Sequence, residues 1–173
     1  METAIFTTKK LEKTISKYVI KDLEKVKENT YLGDWNVNIF YVNRKKCWLL
    51  MNFKTKYVVV INEIKLADIK NITTIFKETF YNQLIYDGII VDFNLIEKII
   101  GEVKLFATNN NRSALGSIND YLYHYKNWIS RIQNKEINFK EITSRLNKHI
   151  PNTLLNYEMP SKIMSELLNS FII

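Results

Sequence analysis

The stretch WNVNIFYVNRKKCWLLMNFKTKYVVVI, residues 35–61, decides the fold class. From Trp35 to Val42, the residues Trp35, Val37, Ile39 and Tyr41 alternate with Asn36, Asn38, Phe40 and Val42. A period of two is the pattern of a strand whose two faces meet different surroundings. Asn43-Arg44-Lys45-Lys46 is polar and reads as a turn. Cys47 to Phe53 is almost wholly apolar, Lys54-Thr55-Lys56 reads as a second turn, and Tyr57 to Ile61 is rich in β-branched residues. Turns this short join antiparallel neighbours. The second and third strands are apolar on both faces, so helices are expected to cover much of the sheet.

Toward the N-terminus, Thr3 to Thr7 is short and apolar enough for an edge strand. Thr7 or Thr8 then offers a hydroxyl to cap a helix. Leu11, Ile15, Val19, Leu23 and Val26 follow at helical spacing, so that helix is expected to end before Asn29, with 30–34 as a loop. Toward the C-terminus, Leu66 to Tyr86 carries the stripe Ile69, Ile72, Phe76, Phe80 and Leu84, closed by Asp87-Gly88. Asp92 caps a short helix over Phe93 to Ile100, Gly101 ends it, and Val103 to Ala107 is a candidate fourth strand. From Ser113 to about Ile132, the residues Leu115, Ile118, Leu122, Tyr125, Ile129 and Ile132 keep strict helical spacing. Asn138 with Glu141 resembles a capping box, Pro151 breaks the helix that follows, and Pro160 opens the last one. The expected fold is α+β, an antiparallel β-meander of three to four strands packed against helices. A core domain over 1–133 is expected, with a C-terminal helical extension over 134–173 packed on the same core.

Composition bounds the rest. Of 173 residues, 46% are hydrophobic and 25% charged, which is the mixture of a globular chain and excludes a disordered one. The longest apolar runs fall well short of the roughly 20 residues that span a bilayer, so no membrane partner is expected. Met1-Glu2-Thr3 lacks the start of a secretory signal, and Cys47 is the only cysteine, so a cytoplasmic location is the expectation. Lys+Arg number 25 against 18 Asp+Glu, a formal net charge of +7, which leans toward an anionic partner.

Five motifs stand in a fixed order: Thr8-Lys9-Lys10-Leu11, Trp35-x-x-Asn38, Val42-Asn43-Arg44-Lys45-Lys46, Tyr57-Val58-Val59-Val60, and Asn111-Arg112-Ser113-x-x-Gly116-Ser117-x-Asn119-Asp120. Together they resemble the bacterial domain of unknown function DUF6933, segments of which are also seen in front of plasmid pRiA4b ORF-3-like domains. The resemblance covers residues 3 to 122 or so. It implies an α+β domain, supplies no catalytic residues, and departs from this chain in the longer stretch between Leu11 and Trp35.

Three groups of residues are candidates for a site. Asn109, Asn110, Asn111, Arg112 and Ser113 place amides and a guanidinium at the start of a strong helix, where free N–H groups favour anions. The structural alternative has the asparagines capping and turning, Arg112 paired with a carboxylate such as Asp34, and Gly116 admitting a close helix. Arg44 and Lys46, with Lys9, Lys10 and the aromatics Trp35, Tyr41 and Trp48, are suited to a phosphate backbone and a stacked base. The alternative leaves those aromatics in the core. Ser117, Asp120 and His124 share a helical face and form a third, polar group. With His149 as the only other histidine and no HExxH or cysteine cluster, no metal and no cofactor are expected. Cys47 is expected in the core, and Tyr121, Tyr123, Tyr125 and Trp128 are expected to pack or to form a partner surface.

The leading expectation is a non-enzymatic binding or regulatory module for nucleic acid or a nucleotide. Its link to mobile elements rests on the resemblance alone. One alternative is a small ribonuclease-like toxin using His124, Arg112 and lysines. Another is a protein–protein module that forms a homodimer or meets a protein partner through its C-terminal helices.

Overall fold

Backbone pairing gathers the strands into one mixed sheet in the order β4-β3-β2-β1-β5. The structure is a computed structural model that describes residues 1–132 and 136–171. Among the described residues the strands are β1 (Glu2–Thr7), β2 (Trp35–Val42), β3 (Lys45–Asn52), β4 (Val58–Ile61) and β5 (Glu102–Phe106). The helices are α1 (Lys9–Ile15), α2 (Ile72–Tyr86), α3 (Phe93–Ile100), α4 (Arg112–Ser130), α5 (Phe139–His149) and α6 (Pro160–Asn169). The expected boundary between residues 133 and 134 lies outside the described residues.

β2, β3 and β4 form the antiparallel meander that their alternation predicts, with Ile39 opposite Trp48 and Leu50 opposite Val59. The expectation of an antiparallel sheet with β1 at its edge needs correction. β1 lies inside the sheet and runs parallel to both of its neighbours, with Ile5 opposite Trp35 on one side and Leu105 on the other. The physical reason is burial. Residues Thr3 to Thr7 are all buried, so both faces of β1 are covered, as interior parallel strands require.

The helix expected after Thr7 or Thr8 and ending before Asn29 is also shorter than its spacing suggests. α1 stops at Ile15, and a 3-10 turn follows at Ser16–Tyr18. Ile20 then bonds to the outer edge of β5, its N–H donating to Leu105 and its carbonyl accepting from Ala107, both at 2.9 Å. An exposed strand edge needs such partners, and pairing with it wins over continuing the helix. Leu23, expected on the buried stripe, is 40% exposed. The segment before α2 is likewise tighter than an α-helix, a 3-10 stretch over Leu66–Asn71.

Among the described residues the two larger apolar cores lie on the two faces of the sheet, and a small third one joins Ala4, Phe6 and Phe106. Leu11 and Ile15 of α1, Phe76 and Phe80 of α2, Ile96 of α3 and Met164 of α6 pack with Trp35, Val37, Trp48 and Val59. On the other face, Ile118, Tyr121 and Tyr125 of α4 with Ile142 and Leu146 of α5 cover Phe40, Cys47, Leu49 and Val58. Cys47 is fully buried, and burial pushes its thiol up.

The free edge of β4 is closed by a side chain. Asn147 of α5 accepts from the Val58 N–H at 2.8 Å and donates to the Val58 carbonyl at 3.0 Å, standing in for a strand residue. It also donates to Asp87, which accepts from the Tyr57 hydroxyl at 2.5 Å and from Gln83. Burial and the Asp87 carboxylate raise the Tyr57 hydroxyl well above its ordinary value, so it remains a donor.

Candidate anion-binding face

The loops that follow β1 and β5 open at the same end of the sheet, because those strands are parallel neighbours. α1 starts immediately after Thr8 and packs on one face, whereas α4 starts after Asn111 and packs on the other. β1 and β5 are thus neighbouring parallel strands whose following helices diverge to opposite faces. In open α/β sheets ligands sit at the carboxyl ends of such strands.

A chain of side-chain bonds crosses this end. The Thr8 side chain caps α1 by accepting from the Leu11 N–H, and its hydroxyl donates to Asn38 Oδ1 at 3.0 Å. Asn38 Nδ2 in turn donates to Asn119 Oδ1 of α4 at 3.0 Å. Nothing local in the sequence marks this pairing of a strand asparagine with a helix asparagine. Both residues are named positions of the motifs, Asn38 in the second and Asn119 in the fifth.

β2 and β3 continue past the end of β1, since Val37 opposite Thr7 is followed by five more residues of β2. At about 3.3 Å per residue the hairpin projects some 16 Å further. On this projection Tyr41 is 48% exposed, with the Lys10 ammonium 5.9 Å from its ring centroid and Lys46 directly opposite on β3. Arg44 stands at the tip and Lys9 on the first turn of α1, both exposed. The structure therefore brings Lys9, Lys10, Arg44 and Lys46 to one end of the sheet. Trp35 and Trp48 are at 0% and 2% exposure, and Trp35 meets the rings of Phe76 and Phe80 edge-on. Of the three aromatics considered for stacking, Tyr41 alone is accessible.

The segment from Asn109 to Ser113 lies at this same end, after β5. Asn109 Oδ1 accepts from the Asn111 N–H, and Asn111 Oδ1 caps α4 by accepting from the Ala114 N–H, each at 3.1 Å. These two oxygens are thus committed to the loop and the helix start. Asn110 is exposed and left-handed, with φ of 55°. Arg112 and Ser113 are exposed, and among the described residues Arg112 makes no ion pair. Asp34, the carboxylate considered for it, is half-buried beside Glu28 and Lys54; burial and then Glu28 push its carboxyl up. Gly116 holds no close contact either, since a Cβ there would meet nothing within 4 Å.

The polar group on α4 is loosely arranged. His124 Nε2 is 3.9 Å from Asp120 Oδ1, with the two side chains 37% and 65% exposed. The His124 ring lies between Tyr123 and Trp128. Among the described residues Ser117 has no hydrogen bond to His124, so the nucleophile–base contact that hydroxyl attack requires is not made. His149 is exposed in the last turn of α5. Among the described residues no group of three His, Cys, Asp or Glu could hold a metal ion, and no helix is long and apolar enough to cross a membrane.

Comparison with curated proteins gives no match. The model of one family matches residues 4–163, a range that runs beyond residue 122 through α5 and into α6. The chain therefore belongs to the DUF6933 family, a domain of unknown function.

Proposed function

We propose that this chain is a non-enzymatic binding module for an anionic partner, with single-stranded nucleic acid as the partner that suits the surface best. The observation that carries the reading is the assembly at the carboxyl end of the parallel strands. Exposed Tyr41 lies between Lys10 and Lys46, with Arg44 beyond it. An exposed ring flanked by cations is how sequence-tolerant proteins hold a strand. The ring stacks a base while the cations track phosphates.

Arg44 adds support from the backbone. Asn43 and Arg44 have φ of 48° and 65°, the two left-handed positions of a tight hairpin turn. Glycine is the favoured second residue there, and arginine bears a conformational cost. A long cation kept where the turn prefers glycine is consistent with a role for its side chain. The net charge of +7 points the same way. A regulatory role linked to mobile elements rests on the family resemblance and is tested separately, by whether strands from plasmid control regions bind more tightly than unrelated ones.

Fluorescence anisotropy with short RNA and DNA strands at low salt tests the reading. Saturable binding is expected, with Tyr41→Ala weakening it by about 1–3 kcal/mol. Failure of all strands to bind would overturn it. Because the module is non-enzymatic, the bound RNA stays intact and His124→Ala leaves binding unchanged. Cleavage lost in that variant would favour the ribonuclease-like toxin instead.

A further inference from the structure

We infer that the strand proposed above runs from Tyr41 across Lys46 into a cleft beside Leu66, where it lodges another base. This inference rests on the strand-binding reading and adds to it the path of the strand and a second base site. β4 runs in the same direction as β1 and β2, so residues 62–66, which follow it, open at the same end of the sheet as the start of α1.

The path follows from the register. Tyr41 lies opposite Lys46, and Ile39 lies opposite Trp48 one step nearer the core. Side chains along a strand alternate between faces, so Tyr41 and Lys46 extend the face that carries Ile39, Trp48 and α1. On the far side of β3 the chain turns at Glu63, which is left-handed with φ of 56°, and the Ile64 N–H then donates to the Lys46 carbonyl at 2.9 Å. Ile64 thereby takes the place beside Lys46 that a longer β4 would have filled, with its side chain in the same core as Ile39 and Trp48. Tyr41, Lys46 and Ile64 form a row across neighbouring chain segments, about 10 Å from first to last at about 4.8 Å per spacing.

The end of that row is open. Lys45, Lys46, Glu63, Ile64, Lys65 and Leu66 line a cleft of about 500 Å³. An adjoining narrow gap shares Lys46, Ile64, Lys65 and Leu66 with it and reaches Trp48 and Thr14 of α1, which puts the cleft on the Tyr41 face. Three lysines line the cleft against one glutamate, and Lys45 holds that carboxylate at 2.6 Å. Asp68 accepts from the Lys65 backbone N–H at 2.7 Å, but among the described residues neither the Lys65 nor the Lys46 ammonium makes an ion pair. Between these two cations Leu66 leaves 45% of its surface exposed.

Charge and apolar surface together name the occupant. Leu66, backed by Ile64, offers aliphatic surface to the face of a base, and Lys46 and Lys65 offer cations to the phosphates on either side of it. Lys46 stands between the Tyr41 ring and the cleft, so a phosphate that joins two bases meets it. A single nucleotide reaches the ring or the cleft but not both, and affinity therefore grows with strand length.

The test uses the full chain and oligouridylates from the dinucleotide to the hexanucleotide, read by fluorescence anisotropy across salt. The expected result is affinity that rises with length, and hexanucleotide affinity about fivefold or more lower in Leu66→Ser, which changes no charge. Lys65→Gln is expected to reduce the salt slope by about 0.7. Lys126→Gln removes the same charge from α4, on the opposite face, and is expected to leave the slope unchanged. Leu66, Lys65 and Lys126 are exposed, so all three variants are expected to melt near wild type; should Leu66→Ser melt lower, the Lys65→Gln and Lys126→Gln slopes decide alone. Strand binding that needs Tyr41 but is undiminished in a well-folded Leu66→Ser, or slopes that fall equally in Lys65→Gln and Lys126→Gln, overturns this path and leaves the binding face at Tyr41 standing. Failure of every strand to bind overturns both.

Discussion

Replacing Arg44 by glycine separates what the hairpin tip does for the fold from what it does for a ligand. Arg44 has φ of 65° after Asn43 at 48°, the geometry for which Asn-Gly is the preferred pair. A side chain in the left-handed region costs roughly 1–2 kcal/mol. Glycine relieves that cost but forfeits roughly 0.5–1 kcal/mol in chain entropy. The net is a stabilisation of about 0–1.5 kcal/mol. For a chain of this size each kcal/mol moves the melting temperature by roughly 2–4 °C, so Arg44→Gly is expected to raise it by up to about 6 °C. The same change removes one exposed cation. Binding to a single strand is expected to weaken, and its salt slope to fall by about 0.7. Thermal melts and anisotropy titrations across salt read both effects from one variant. A lowered melting temperature would mean that Arg44 makes a contact the fold needs. Unchanged binding would remove the tip from the anion-binding face.

Other sites give equally direct outcomes. Arg112→Lys is expected to change stability by less than about 0.5 kcal/mol, because Arg112 is exposed, while weakening anion binding through loss of the bidentate fork. A fall of about 1–3 kcal/mol in chemical denaturation would instead assign Arg112 a buried structural partner. Asn147→Ala strips Val58 of both edge bonds and Asp87 of one donor, so a loss of about 2–3 kcal/mol is expected in urea melts; a smaller effect would show that water replaces the amide at the β4 edge. Glu2 bonds to Lys104 and Lys27, which hold its carboxyl at about 2, below the ordinary 4.5. Its stabilisation is therefore present above pH 4.5 and is lost as pH falls toward 2. Glu2→Gln is expected to flatten the acid limb of melting temperature against pH in that window, and an unchanged limb would assign the acid sensitivity to other carboxyls.

Local patterns carried much of the architecture. The alternation from Trp35 to Val42 and the polar residues after it were sufficient for the meander. The caps at Thr8, Asp92 and Asn138 were readable because each hydroxyl, carboxylate or amide stands just ahead of an apolar run. The place of β1 was not readable. It depends on pairing with β5, and the Thr7 hydroxyl bonds to Phe106 across a separation of 99 residues, far beyond any local signal. Spacing also misled beyond Ile15, since Val19, Leu23 and Val26 keep a helical period although Ile20 is committed to the edge of β5. The candidate site shows the same division. Residue types and loop positions singled out Lys9, Lys10, Arg44, Lys46 and Asn109 to Ser113, but their common end of the sheet follows only from the parallel pairing of β1 with both β2 and β5. Asn38 and Asn119 stood out only as motif positions; their bond to each other joins residues 81 apart and is not legible locally.

Binding of an anionic strand at the carboxyl end of the parallel strands, as proposed, depends on Lys9, Lys10, Arg44 and Lys46 acting together. The most direct measurement is the salt dependence of single-strand binding in the wild type and in a variant with Lys9, Lys10, Arg44 and Lys46 all changed to Glu. A linear fall of log affinity with log salt is expected in the wild type. A slope shallower by roughly 3 is expected in the variant, as four phosphate contacts are lost at about 0.7 each. The melting temperature should stay near that of the wild type, since all four side chains are exposed. Equal slopes for the two proteins, or binding insensitive to salt, would contradict it.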